Sequence, residues 1–259
     1  MPELPDVEGF REVLNSCARG RRVLRVEVRD TGVLRGVSAT RLQREVEGRR
    51  LGRPRRHGKL LVAPVDDGPA LVWHFGMTGA LLCTRTDDPL HAHDRIVFAL
   101  DGEQQLRYRD QRKLQGVRLA ATPGAVEQIL AGLGPDALGI ERQEFVALLA
   151  RRRGTVKSVL MDQSAIAGLG NLLSDEILWR ARVAPERPAR DLGEGEARRV
   201  FTAMRRVLAA SVRAACVPPR RTWLTGHRDD EPACPRCGAD LRSRRVAGRR
   251  TVWCPHCQH

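Results

Sequence analysis

The chain has 259 residues, with 45 lysines and arginines against 31 aspartates and glutamates, a net charge of +14 and an isoelectric point near 10.8. That length accommodates about two domains, and no apolar run of about 18 residues is present to span a membrane as a helix. The cationic excess suits a polyanionic partner; a merely arginine-rich protein, or a ribosomal one, is the plain alternative.

The first predicted element is a helix over residues 5–18, with Val7, Phe10, Val13 and Leu14 on one apolar face and Gly20 as its stop. From 22 to 119 the pattern changes to short β-like runs at 23–28, 59–65, 70–75, 80–84, 96–100, 105–109 and 117–119. Turn signals such as Asp66-Asp67-Gly68-Pro69 and Asp101-Gly102 separate them, which predicts an antiparallel sandwich or barrel. Helical patterns follow at 124–131, 142–151, 172–182 and 194–215, and a proline-containing linker, 217–232, leads to the last motif. The fold class expected is α+β, with domains at 1–131, 132–216 and 217–259.

That last motif is Cys234-x2-Cys237, sixteen residues, then Cys254-x2-Cys257, the spacing of a four-thiolate zinc site. Pro235, Gly238 and Pro255 supply its turns. One structural Zn2+ is expected. Disulfides are the alternative, disfavoured in the reducing cytoplasm where this chain, without a signal peptide, is expected to reside. Cys17, Cys83 and Cys216 read as core residues.

The opposite end reads Met1-Pro2-Glu3-Leu4-Pro5-Asp6-Val7-Glu8. Removal of Met1 leaves Pro2 with a secondary amine, a group that titrates near pH ~8 and attacks aldehydes to form an iminium. Glu3 places a carboxylate one residue away for proton transfer; a proline-punctuated lead-in to a helix is the plain alternative. Only three lysines occur, Lys59, Lys113 and Lys157, against 42 arginines. They mark candidate sites for a compact ammonium.

These two ends resemble the family of formamidopyrimidine-DNA glycosylase and endonuclease VIII, and the likeness runs over the whole length. The resemblance implies a β-sandwich domain, a helix–two-turn–helix domain and a zinc hairpin, acting as a monomer on damaged double-stranded DNA. It implies Pro2 as nucleophile, Glu3 as proton-transfer group, and Lys59, in Arg55-Arg56-His57-Gly58-Lys59, as a phosphate contact that assists elimination. Met77, in Trp73-His74-Phe75-Gly76-Met77, would wedge into the space left by a flipped base. Arg112 would face the opposite base, with Leu114 beside it where the family usually has phenylalanine. His74 and His91 match histidines near the DNA backbone. Arg152, Lys157 and Asn171 would bind phosphate, and the glycines of Gly168-Leu169-Gly170 would let helix-start amides approach one. Arg249, or Arg250 if the turn shifts by one residue, would grip phosphates at the hairpin tip.

The activity implied is excision of an oxidised base followed by β- then δ-elimination. Oxidised purines are favoured by the Met77 motif; the short 218–232 segment and Leu114 leave oxidised pyrimidines open. A non-catalytic damaged-DNA-binding protein is a competing reading, against which Pro2, Glu3 and Lys59 weigh. An RNA-binding zinc ribbon would explain the charge and the cysteines, but not the start.

Overall fold

The structure is a computed structural model that describes residues 1–66, 68–228 and 233–259. Asp67 of the expected turn and 229–232 of the expected linker lie outside the described residues. The chain divides into two compact units, Met1–Pro2 with Asp6–Gly132 and Glu3–Pro5 with Leu133–His259. Helix α1 (Leu4–Cys17) begins in the second and continues in the first.

Among the described residues the first unit holds eight strands: β1 (Val23–Val28), β2 (Arg55–His57), β3 (Leu60–Pro64), β4 (Ala70–His74), β5 (Ala80–Arg85), β6 (Asp94–Leu100), β7 (Gln104–Arg109) and β8 (Gly116–Ala120). They form two four-stranded antiparallel sheets ordered β1-β6-β7-β5 and β2-β3-β4-β8. Period-2 patterning turns Leu61, Ala63, Leu71 and Trp73 of one sheet and Val26, Phe98, Leu106 and Tyr108 of the other into one core. Val7, Leu14 and Cys17 of α1 pack on it. Each large apolar side chain sealed there contributes about 1.5–3 kcal/mol. The expected sandwich is present.

Two elements go beyond the sequence expectation. Helix α2 (Ala39–Val46) falls in the stretch taken as strand and loop; Ser38 caps it, accepting the Arg41 N–H, and it buries only Leu42 and Val46. Strand β2 is Arg-Arg-His, with no apolar alternation, and pairs on one side only, as a sheet edge. A correction concerns cysteine. Cys83 is exposed rather than in the core, and bonds Cys17 as a disulfide with Cα atoms 5.9 Å apart, tying the end of α1 to β5. Cys216 is half-buried.

The second unit contains α4 (Arg142–Arg151), α5 (Val156–Met161), α6 (Asn171–Ala181), α7 (Glu194–Arg213) and the hairpin β9 (Arg242–Val246) and β10 (Arg249–Trp253); α3 (Pro123–Leu130) belongs to the first. Leu4, Phe145, Leu160, Ile177, Met204 and Leu208 are among its core residues. Helix α6 is buried from Leu173 to Trp179 on every face. The expected linker packs too: Trp223 joins the helical core, and Leu224 lies with Trp179 and the cysteines.

Reduction of Cys17–Cys83 is expected to release two titratable thiols and lower the stability of the first unit by about 4 kcal/mol, from the entropy of a loop of this length. Thermal melts with and without reductant, with Cys83→Ser as control, check this; an identical melting temperature in all three rejects it.

Candidate active site

Glu3 is 1 % exposed, and its carboxylate accepts the backbone N–H groups of Leu172 (2.8 Å) and Leu173 (3.2 Å). These are orphan donors of the first turn of α6, whose N-cap, Gly170, has no side chain to satisfy them. Glu3 therefore caps α6 from a distant part of the sequence, its charge favoured by the positive end of the helix. The backbone around it is fixed as well, since Leu4 N–H donates to the Gly168 carbonyl at 3.0 Å. Gly170 is required for this approach: a Cβ there would overlap the Glu3 carboxyl carbon. The expectation that these glycines open helix-start amides to a phosphate is corrected for Leu172 and Leu173, because Glu3 occupies both.

One turn further along α6, Asp175 lies at 1 % exposure and takes Lys157 Nζ of α5 at 2.5 Å, Arg228 Nη1, and the Val252 N–H of β10 at 3.1 Å. Lys157 is itself fully buried and donates to Thr251 Oγ1 at 2.6 Å. Burial pushes its pKa down, and Asp175 opposes that fall. The expected phosphate contact from Lys157 is thus corrected: the ammonium is sealed inside the unit, joining α5, α6 and the hairpin. Asn171 Nδ2 donates to the Arg250 carbonyl at 3.0 Å, while Arg152 lies on the surface, 3.6 Å from Asp162.

The hairpin turns at Ala247 and Gly248, with φ of 48° and 73°, the two positive values of a type I′ turn. Arg249 follows directly and is exposed, with no side-chain bond among the described residues. Arg250 is held instead, donating to the Arg228 carbonyl at 2.6 Å. Below it, the sulfurs of Cys234, Cys237, Cys254 and Cys257 lie within 4.8 Å of one another. Cys237–Cys254 is 3.6 Å and Cys234–Cys257 is 4.0 Å, against about 3.8 Å for sulfurs at tetrahedral positions 2.3 Å from a zinc ion. Burial opposes ionisation of Cys234, but the Trp179 indole N–H at 3.4 Å and neighbouring amides bring its thiol down to about 6.

In the first unit Pro2 is half-buried, and its nitrogen carries Met1, which is exposed. Lys59 sits in the two-residue β2–β3 turn opened by Gly58 at φ 56°. His74, at the end of β4, lies near enough to feel it: burial first, then the Lys59 and Arg118 charges, lower the His74 pKa. Met77 and Arg112 are brought together, Nη1 to Sδ 3.0 Å, and Leu114 is 49 % exposed. His91 is exposed in the turn before β6, its ring accepting the His93 N–H at 3.1 Å. Sequence reasoning missed Asp175 and Glu176; the signal was two adjacent acids inside a helix whose apolar residues cover every face. Nothing local in the sequence marks Arg228 or Thr251.

Two substitutions test this arrangement. Gly170→Ala should force the Glu3 carboxylate from α6 and cost about 2 kcal/mol, and Asp175→Asn should cost about 3–5 kcal/mol by leaving Lys157 and Arg228 buried without a countercharge. Urea unfolding measures both; stability within 0.5 kcal/mol (roughly the scatter of neutral surface changes) would reject the respective contact.

Residues 1–117 match the formamidopyrimidine-DNA glycosylase N-terminal domain, 132–217 its H2TH domain, and 232–259 the zinc finger found in FPG and IleRS. The formamidopyrimidine-DNA glycosylase of Heliobacterium modesticaldum is 35% identical, with 100% of each chain covered. That of Moorella thermoacetica is 36% identical over 99% of this chain and 92% of its own. The Lactococcus lactis enzyme bound to abasic-site DNA superposes with a TM-score of 0.87 at 27% identity, covering 99% of each chain. A MutM complex with DNA containing carbocyclic 8-oxo-G gives 0.89 at 28% identity, again covering 99% of each. The chain belongs to the formamidopyrimidine-DNA glycosylase family of DNA-repair proteins.

Proposed function

We propose that this protein is a bifunctional DNA glycosylase and abasic-site lyase acting, as a cytoplasmic monomer, on damaged double-stranded DNA. The observation that carries the reading is the fixed Glu3 carboxylate, covalently adjacent to Pro2 and anchored by two helix-start amides. Once Met1 is removed, the Pro2 amine attacks C1′ of the damaged nucleotide and the base leaves with its bonding electrons; the amine loses its proton, and opening of the sugar ring at the C1′–O4′ bond, with O4′ taking a proton, forms the Pro2 iminium. The resulting iminium acidifies the C2′ proton; its loss expels the 3′ phosphate by β-elimination, and a second elimination releases the 5′ phosphate. Glu3 transfers protons at this centre, Lys59 holds a phosphate beside it, and Arg249 grips the strand from the hairpin. Met77, Arg112 and Leu114 fill the vacated stack, while His74, His91, Arg152 and Asn171 lie along the strand. The segments 1–131, 132–216 and 217–259 divide the work into chemistry, duplex binding and hairpin grip.

Zn2+ fits the four thiolates, whose mutual distances suit tetrahedral sulfur ligands. Cys234, Cys237, Cys254 and Cys257 would hold it as a structural ion, with no coordination position left for chemistry. Oxidised purines are the favoured lesions, in keeping with the 8-oxo-G and formamidopyrimidine DNA bound by structural neighbours. A second reading, oxidised pyrimidines, rests on Leu114, an exposed aliphatic where the family usually has phenylalanine.

Borohydride trapping on duplexes carrying an abasic site, 8-oxoguanine or an oxidised pyrimidine tests the proposal. A covalent adduct is expected, falling at least a hundredfold in Pro2→Gly; trapping undiminished in that variant overturns the nucleophile, and no adduct on any duplex overturns the lyase. Cys237→Ser should lower bound zinc and DNA affinity together, read by metal analysis and a salt-dependent binding titration; full zinc occupancy would reject the ligand set.

A further inference from the structure

A cavity of about 410 Å³ lies at the C-terminal end of α6, lined by Arg180, Arg198, Arg199, Arg206 and Arg236, with Thr202 adding a hydroxyl. Its volume is within the range of about 300–1,000 Å³ usual for small-ligand sites. No carboxylate is among its lining residues. Glu176, Glu194 and Glu196 offset Arg180, Arg198 and Arg199 from outside it, whereas Arg206 and Arg236 have no carboxylate partner among the described residues. Gathering like charges around one recess raises its potential and favours an anion there.

The guanidinium groups at its inner edge are held in place. Arg236 lies 4.2 Å over the Trp179 ring and donates to the Trp179 carbonyl at 3.1 Å. Arg180 sits 4.7 Å from the Trp223 ring and 5.7 Å from that of Trp179. Arg199 donates to the Ala181 carbonyl at 3.4 Å. Side chains fixed in this way lose little further entropy on binding. The recess is also separate from the site above: the eleven residues of α6 place its two ends about 15 Å apart, with Glu3 and Asn171 at the other end.

We propose that this recess is a second anion site, which binds a short phosphate chain such as inorganic tripolyphosphate or the triphosphate of a nucleotide. The planar guanidinium fork matches phosphate oxygens in pairs. Carboxylates on one face of an extended peptide recur only about every 6.8 Å, too sparsely for five guanidiniums around one small cavity. A duplex presents a convex backbone, which fits this concave surface poorly. Trp179 also joins the recess to the cysteine cluster, since its indole donates to Cys234 while its ring carries Arg236.

The test is a titration of the full-length, zinc-loaded protein at about 0.15 M salt, read by intrinsic tryptophan fluorescence and calorimetry. The probes are tripolyphosphate, ATP, undamaged duplex and hexaglutamate. Tripolyphosphate should bind saturably, and Arg206→Glu should weaken it at least tenfold, with Arg206→Ala intermediate. Neither variant should change the melting temperature of the unliganded protein or its cleavage of lesion DNA, which keeps this result separate from the glycosylase reading. Equal affinity for ATP would identify the phosphate chain as the whole ligand, and tighter ATP binding would identify a nucleotide. Absence of saturable tripolyphosphate binding, binding unaltered in both variants, or binding confined to hexaglutamate or duplex would overturn the proposal.

Discussion

The carboxylate of Glu3 and the first turn of α6 need one another. A buried carboxylate requires donors, and a buried helix start requires acceptors; each finds its partner across 169 residues of sequence. Were the cap a local hydroxyl, as Thr155 is for α5, α6 would form equally well and Glu3 would be unconstrained. Gly170 excludes that solution by leaving the space to Glu3. The position of the Glu3 carboxylate is consequently set by a helix start within its own unit.

Successive turns of α6 extend the same logic. Asp175 ties the helix to α5 and β10, Glu176 accepts the Thr225 N–H at 3.2 Å, and Trp179 meets Cys234. Burial raises the Glu176 pKa, with Arg180 acting against it. Three ionisable or polar side chains on one buried helix are an expensive way to gain stability, because desolvation offsets most of their attraction. They are an effective way to fix geometry: the hairpin carrying Arg249 and the segment carrying Glu3 take their positions from one element.

The sequence was most informative where local chemistry decides structure. Alternating apolar residues located seven of the eight strands of the sandwich, and the cysteine spacing marked the cluster that the fold assembles. What escaped was tertiary. Helix α2 is only eight residues long and buries two of them, and β2 is a strand because β3 offers it an edge. Cys83 occupies an exposed strand position that its apolar neighbours concealed. Lysine scarcity singled out Lys157 for a compact ammonium, but not the direction it faces; that depends on Asp175, eighteen residues on, and Thr251, ninety-four on.

With positive charge written almost wholly as arginine, and with Lys157 enclosed, the molecule offers reagents that seek aliphatic amines few targets. Acylating or reductively alkylating agents meet the half-buried Lys59, the salt-bridged Lys113 and whichever residue begins the chain. Amine-directed footprinting is usually blurred by dozens of surface lysines. Here it would read the neighbourhood of the terminal nitrogen against a nearly silent background.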